Sequence, residues 1–221
     1  MATSTLMKKL SLATASAALM AMGVGTSAQA ASLTNTTGLT NPTQTINFNE
    51  VSLGEGEKVT DQFSSLGVSF TNLYNTTFYN GIFPNIAGNT LANFSNPYGG
   101  SIENPFSIKF NTNQTAAAFS MVSNPGTSIF TALLNGAVVE TFNAVTQYSG
   151  NFYGFTDILF DEILVNSAQG TNGAALIDNL QTVAATKSVP EPASTLGLLA
   201  LGAMGAGSLK RKQQQKLTEK A

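Results

Sequence analysis

The chain has 221 residues, 43% of them hydrophobic, a formal net charge of −2, and no Cys, His or Trp. Those absences exclude disulfides, thiolate nucleophiles, Ser–His–Asp triads and metals held by imidazole or thiolate. Carboxylate and backbone-oxygen sites remain, and they suit hard cations such as Ca²⁺ or Mg²⁺. The mean charge conceals a partition: residues 1–30 carry +2, residues 31–188 carry −7, and residues 189–221 carry +3. All fourteen Phe and all five Tyr lie between Phe48 and Phe160.

Residues 1–30 contain Lys8-Lys9, an apolar run from Leu10 to Val24, and Ala28-Gln29-Ala30. A basic start, an apolar helix and a small-x-small site describe a secretory signal peptide. Cleavage after Ala30 would leave Ala31 at the mature N-terminus, with the secretion machinery and signal peptidase as partners. Residues 31–43 are Ser-, Thr-, Asn- and Gly-rich without a periodic apolar face, and read as a disordered leader.

Residues 44–184 repeat one theme, short β-prone runs separated by Asn, Gly, Pro and Ser. The runs are Gln44–Glu50, Leu66–Thr71, Thr90–Phe94, Phe106–Phe110, Thr115–Val122, Thr127–Leu134, Val138–Phe142, Phe152–Phe155, Ile158–Val165 and Ala175–Val183. Turn signals stand at Asn80-Gly81, Gly99-Gly100, Asn124-Pro125-Gly126, Asn135-Gly136 and Asn172-Gly173, and Asn135-Gly136 is the clearest hairpin. No stretch sustains a helical apolar period over three turns. The pattern predicts one all-β domain, an antiparallel sandwich or barrel packed through Phe, Leu, Ile and Val.

Residues 185–192 form a linker containing Val189, Pro190, Glu191 and Pro192. Residues 193–209 carry no charge and read as a short transmembrane helix, softened by four glycines. Lys210, Arg211 and Lys212 make a basic stop, so the tail 210–221 would stay cytoplasmic and the middle of the chain outside. That topology agrees with the one set by the signal peptide.

The Pro-Glu-Pro triplet, the apolar helix and the basic cluster together resemble the PEP-CTERM sorting signal of bacterial surface and exopolysaccharide-associated proteins. The resemblance implies recognition by an exosortase, a membrane-embedded cysteine transpeptidase, with processing near Pro190–Pro192. The tail beyond Lys212 is longer than the usual abrupt ending. More loosely, the middle resembles the sandwich domains of many such proteins. Ile46-Asn47-Phe48-Asn49-Glu50 is similar to their opening strand, and Tyr153-Gly154-Phe155-Thr156 and Phe160-Asp161-Glu162-Ile163 to later segments. Leu176-Ile177-Asp178-Asn179-Leu180 is similar to the closing strand of jelly-roll modules akin to carbohydrate-binding domains.

Three groups of residues are candidates for chemistry. Glu50 and Asp178 fall on the first and last strands, neighbours in a jelly roll, where they could hold a structural Ca²⁺ or simply cap strand ends. Tyr74, Tyr79 and Tyr98, with Phe78 and Phe83, lie on Asn- and Gly-rich segments. They could stack on sugar rings or fold back over the ends of the core. Glu103, Glu140, Asp157, Asp161 and Glu162 offer many carboxylate pairs for glycoside hydrolysis, none singled out by the sequence. A −7 domain repels nucleic acid.

The expectation is therefore an exported, exosortase-processed protein of the cell surface or extracellular matrix, transiently anchored in the inner membrane. Its sandwich would be non-catalytic, with exopolysaccharide as the candidate ligand. The alternatives are a structural surface protein without a small ligand and a carboxylate-only hydrolase.

Overall fold

The structure, a computed structural model, describes residues 31–186 apart from Gly99. The predicted signal segment, the sorting motif, the 193–209 helix and the basic tail lie outside those residues. Among the described residues no helix is long and apolar enough to cross a membrane.

The described residues form twelve strands: β1 (Ala31–Asn35), β2 (Gln44–Ile46), β3 (Lys58–Val59), β4 (Val68–Thr71), β5 (Leu73–Thr76) and β6 (Thr90–Ala92), then β7 (Phe106–Ser123), β8 (Gly126–Leu134), β9 (Ala137–Thr146), β10 (Asn151–Thr156), β11 (Phe160–Gln169) and β12 (Ala175–Ala184). A 3-10 turn at Ser64–Leu66 precedes β4. All their ladders are antiparallel. Asn135 and Gly136 join β8 to β9 with φ of 52° and 80°, the two left-handed residues that a tight hairpin turn requires.

The sequence suggests two strands at 106–110 and 115–122, and the structure runs them together as β7. That strand links two layers. Its first part lies between β4 and β11, with Phe110 opposite Val68 and Ile108 opposite Ile163. Its second part lies between β10 and β12, with Phe119 opposite Tyr153 and Met121 opposite Ile177. The changeover at Asn111–Asn113 is exposed and polar. One layer thus runs β4-β7-β11-β8-β9. The other runs β1-β10-β7-β12, with β2 and β6 sharing the far edge of β12 and β5 and β3 beyond β6. Ile46 of β2 stands opposite Leu180 of β12, so first and last core strands are neighbours as the jelly-roll reading expects.

The core fills the space between layers. Phe130 of β8 lies 5.2 Å from Tyr153 of β10 and 6.2 Å from Phe119 of β7, and Phe142 of β9 lies 5.1 Å from Phe155 of β10. None of these strand pairs shares a ladder, so the rings meet across the sandwich. At one end Phe48, Phe63 and Phe70 form an edge-to-face trio at 5.5–5.8 Å. Phe48 adopts a left-handed φ of 61°, a strained setting for a bulky residue. Its complete burial in that trio offsets the strain. Gly154 of β10 lies so near β7 that an added Cβ would stand 2.6 Å from the Ala118 Cα.

One expectation needs correction. The supposed disordered leader, 31–43, carries β1, which pairs with β10 from Ala31 opposite Thr156 to Asn35 opposite Phe152. The rest of the leader is tied down by the Asn35 side chain, which accepts from the Gly38 N–H at 2.6 Å. Gln181 Oε1 likewise accepts from the Leu39 N–H at 2.6 Å. Backbone pairing, not an apolar face, holds this edge strand, so its polar composition gives no strand signal. At the other end β12 stops at Ala184, and the Ala185 N–H donates to the Asn113 carbonyl at 2.8 Å.

Candidate functional site

The outer face of the second layer is covered by residues 77–89, which connect β5 to β6. Asn85, at a left-handed φ of 59°, turns its carbonyl onto that face. There it accepts from Ser120 Oγ of β7 at 2.8 Å and from Asn179 Nδ2 of β12 at 2.9 Å. Its own Nδ2 donates to the Gly150 carbonyl at 2.9 Å. The Ala87 N–H donates to Asp178 Oδ2 at 2.9 Å, and the Asn89 N–H to Asn49 Oδ1 at 2.9 Å. Beneath the segment lies a second apolar cluster built on Ile86, Phe94, Val122 and Leu176. This cover explains why the second part of β7 is buried on both faces and shows no alternation.

On this platform stands a row of rings. Tyr98 meets Phe78 edge-on at 5.0 Å, and Phe78 meets Tyr79 edge-on at 5.0 Å. Tyr79 stacks with Phe83 at 6.1 Å, and Phe83 with Tyr148 at 5.7 Å. Tyr79 also rests edge-on against Phe94 at 6.1 Å, which roots the row in the cluster below. Its outer end is open to water, with Phe78 44% and Tyr98 79% exposed. These two rings, with Glu55, Thr77, Ser95 and Asn96, line a cleft of about 520 Å³. That volume falls in the range of small-ligand sites, roughly 300–1,000 Å³. A recess of about 70 Å³ beside Tyr79, Phe83 and Tyr148 is far smaller than that range.

The cleft walls are built tightly. The Tyr98 N–H donates to Asn96 Oδ1 at 2.9 Å and the Gly100 N–H to the Asn96 carbonyl at 2.9 Å, which fixes the tip. A Cβ on Gly56 would stand 2.7 Å from the Ser95 carbonyl, so the acidic loop before β3 can close on this tip only with glycine there. Glu55 accepts from Thr76 Oγ1 at 2.5 Å, from the Thr77 N–H at 2.7 Å and from Thr77 Oγ1 at 3.0 Å. Burial alone would raise its carboxyl, but these hydrogen bonds prevail and hold it below the usual carboxylate value.

The structure distributes the sequence-predicted residues unevenly. Tyr79 and Tyr98 join the row through Phe78. Tyr74 does not: it lies in β5, its hydroxyl donating to Glu103, with the Lys58 ammonium 5.3 Å from its ring centre. That hydroxyl, with the Lys58 ammonium at 2.9 Å, holds Glu103 below the ordinary carboxylate value. Tyr148 was not predicted; it reaches the row from the β9–β10 connection, with its hydroxyl donating to Asn124 Oδ1 at 2.9 Å.

Glu50 and Asp178 lie close enough for the Glu50 charge to act on Asp178, but each already has backbone donors. Glu50 Oε1 accepts from the Asn47 N–H at 3.0 Å, and Asp178 Oδ1 from the Asn179 N–H at 2.6 Å. Asp178 is 1% exposed, and burial foremost, aided by Glu50, pushes its carboxyl up to about 7. Among the described residues no three Asp or Glu side chains gather as a metal centre. The carboxylates considered for hydrolysis are dispersed. Asp161 Oδ2 accepts from the Asn135 N–H at 3.0 Å at the β8–β9 turn, Glu140 lies on β9, and Glu162 faces Lys109 in the β11–β7 register. Among the described residues Glu55 is the one acid that lines the large cleft.

Residues 188–212 match the PEP-CTERM protein-sorting motif. The chain carries a PEP-CTERM sorting signal. This motif marks a protein exported to the cell envelope or surface, with an exosortase as the sorting partner. No curated protein matches the chain. Similarities among solved structures include the CsCBM6-3 module from Clostridium stercorarium in complex with cellobiose, at 13% identity and a TM-score of 0.33, covering 53% of this chain and 87% of that one. The C-terminal domain of a chitobiase from Bacteroides fragilis is 18% identical with a TM-score of 0.34, covering 64% of this chain and 98% of that one. A family 29 carbohydrate-binding module, CBM29-2, is 13% identical with a TM-score of 0.34, covering 74% of this chain and 99% of that one.

Proposed function

We propose that this chain is a non-catalytic, surface-displayed β-sandwich that retains an extracellular polysaccharide at the aromatic cleft. The observation that carries this reading is the pair Phe78 and Tyr98, both exposed, 5.0 Å apart, along a cleft of about 520 Å³. Sugar rings present apolar C–H faces bordered by hydroxyls. Immobilised aromatic rings next to short polar side chains supply the matching surface. Thr77, Ser95 and Asn96 provide those polar partners. Glycoside hydrolysis needs two carboxylates across the scissile bond, and the described residues give this cleft one.

In this reading signal peptidase cuts after Ala30, the 193–209 helix holds the domain at the inner membrane, and an exosortase processes the chain near Pro190–Pro192. The mature protein then begins at Ala31 and lacks residues 193–221, which intact mass spectrometry reads directly. A mature form retaining Lys210–Lys212 would leave a plain membrane anchor instead. Ligand retention is tested by affinity electrophoresis of the mature protein through soluble polysaccharides and the producing strain's own matrix. Retention by the wild type and its loss in Tyr98→Ala is the expected result. Absence of retention in every gel would leave a purely structural surface role.

A further inference from the structure

We infer that the cleft selects amino sugars bearing a free ammonium group, such as de-N-acetylated hexosamine chains, over their acetylated and anionic counterparts. The inference rests on the glycan-retaining reading and adds the chemical class of the sugar. Three observations carry it.

First, Glu55 is the only charged side chain among the described residues that line the cleft. Its carboxylate is fixed by Thr76 and Thr77 rather than free to swing away. Oε1 accepts one described hydrogen bond, from Thr76, so a lone pair remains for an incoming N–H donor. The anion is thus held in place before a ligand arrives, and little further ordering is required on binding.

Second, among the described residues no cation lines the cleft to neutralise an acidic sugar. The described residues hold two lysines against ten acids. Of those lysines, Lys58 is engaged by Glu103 at 2.9 Å, and Lys109 sits on β7 opposite Glu162 of β11. A uronate carboxylate would meet Glu55 unopposed.

Third, the exposed rings of Phe78 and Tyr98 share this wall with Glu55. Aromatic faces attract an ammonium and have no such attraction for a carboxylate. The charge of Glu55 also reaches the row, since it contributes, after burial and Tyr98, to raising the Tyr79 phenol. An ammonium here faces an anion and ring faces together.

The experiment compares glucosamine oligomers with N-acetylglucosamine oligomers of equal length and with oligogalacturonate, titrated calorimetrically against the mature protein at pH 6. The glucosamine oligomer is expected to bind about tenfold tighter than its acetylated twin, equivalent to about 1.4 kcal/mol. Oligogalacturonate is expected to give no heat. Glu55→Gln should bring the ratio of the two glucosamine ligands close to one. Tyr98→Ala should lose both.

Equal affinity for acetylated and free amino sugars, with both lost in Tyr98→Ala, would overturn this inference and leave the glycan-retaining reading standing. Glucosamine binding undiminished in Tyr98→Ala would assign it to the acidic surface at large and likewise overturn the inference. If the wild type binds none of these oligomers and is retained by no polysaccharide gel, the underlying reading fails instead.

Discussion

Phe130 and Phe78 are the same side chain in two opposite situations. Phe130 projects from β8 between the layers, closed from water and flanked by Phe119, Phe142 and Tyr153. Phe78 projects from a connection on the outside of the second layer, 44% exposed, with rings on two sides and water on the third. Both sit in aromatic clusters with similar ring spacing. What separates them is the backbone beneath: alternation on a strand drives one into the core, while a hydrogen-bonded loop lays the other across a platform. An aromatic cluster of the first kind stabilises the fold, and one of the second kind is, in the proposed reading, the surface that meets the glycan.

The comparison can be broken at either end. Phe130→Ala should give the largest effect, destabilising the domain by about 3–5 kcal/mol in urea unfolding, because the sandwich cannot collapse around the lost ring. A smaller loss would mean that the interlayer rings are less tightly packed than their distances imply. Gly154→Ala follows at about 1–3 kcal/mol, since its Cβ collides with β7 backbone and neither strand can yield cheaply.

The platform has a pH dependence of its own. Folded Asp178 keeps its proton up to about pH 7, whereas the unfolded chain releases it near 3.8. The contribution of Asp178 to stability is therefore fullest below about pH 4 and is lost as pH rises toward 7. The difference in unfolding midpoint between wild type and Asp178→Asn should grow across that interval in favour of the variant. A constant difference from pH 4 to 8 would remove Asp178 as the cause. The smallest effect on stability belongs to the row's open end. Tyr98→Ala should shift stability by no more than about 0.5 kcal/mol, while abolishing polysaccharide retention. A loss of stability comparable to that of Phe130→Ala would place Tyr98 in the structural class and erase the distinction between the two clusters.

Much of the frame was legible in the chain. Asn135-Gly136 marked its hairpin because only certain residues accept two left-handed angles in succession, and the β-prone runs Thr127–Leu134 and Ile158–Val165 fell on β8 and β11. β5 was not legible. Leu73 and Asn75 share its inward face, and Asn75 is fully buried, its Nδ2 donating to the Gly54 carbonyl at 3.0 Å. A polar residue facing inward breaks the alternation, and Tyr74 then reads as a loop aromatic rather than a strand residue beside Glu103. The row itself was half legible. Phe78, Tyr79 and Phe83 lie within six residues of one another. Tyr148 joins them from more than sixty residues away, through a long-range contact that local pattern cannot express.

The departure of the chain from β12 has a mechanical consequence. The sorting motif begins at residue 188, four residues beyond the end of β12 at Ala184. Four extended residues reach at most about 14 Å, so any tension on an attached motif passes directly to β12. That strand is gripped by β7 along one side and by β2 and β6 along the other. A pull on its end, directed along the strand, loads those ladders in shear, many hydrogen bonds at once. A pull directed across the strand would instead open them one after another. A domain holding matrix at one face and tethered to the cell by this strand would meet drag with its most firmly sewn seam.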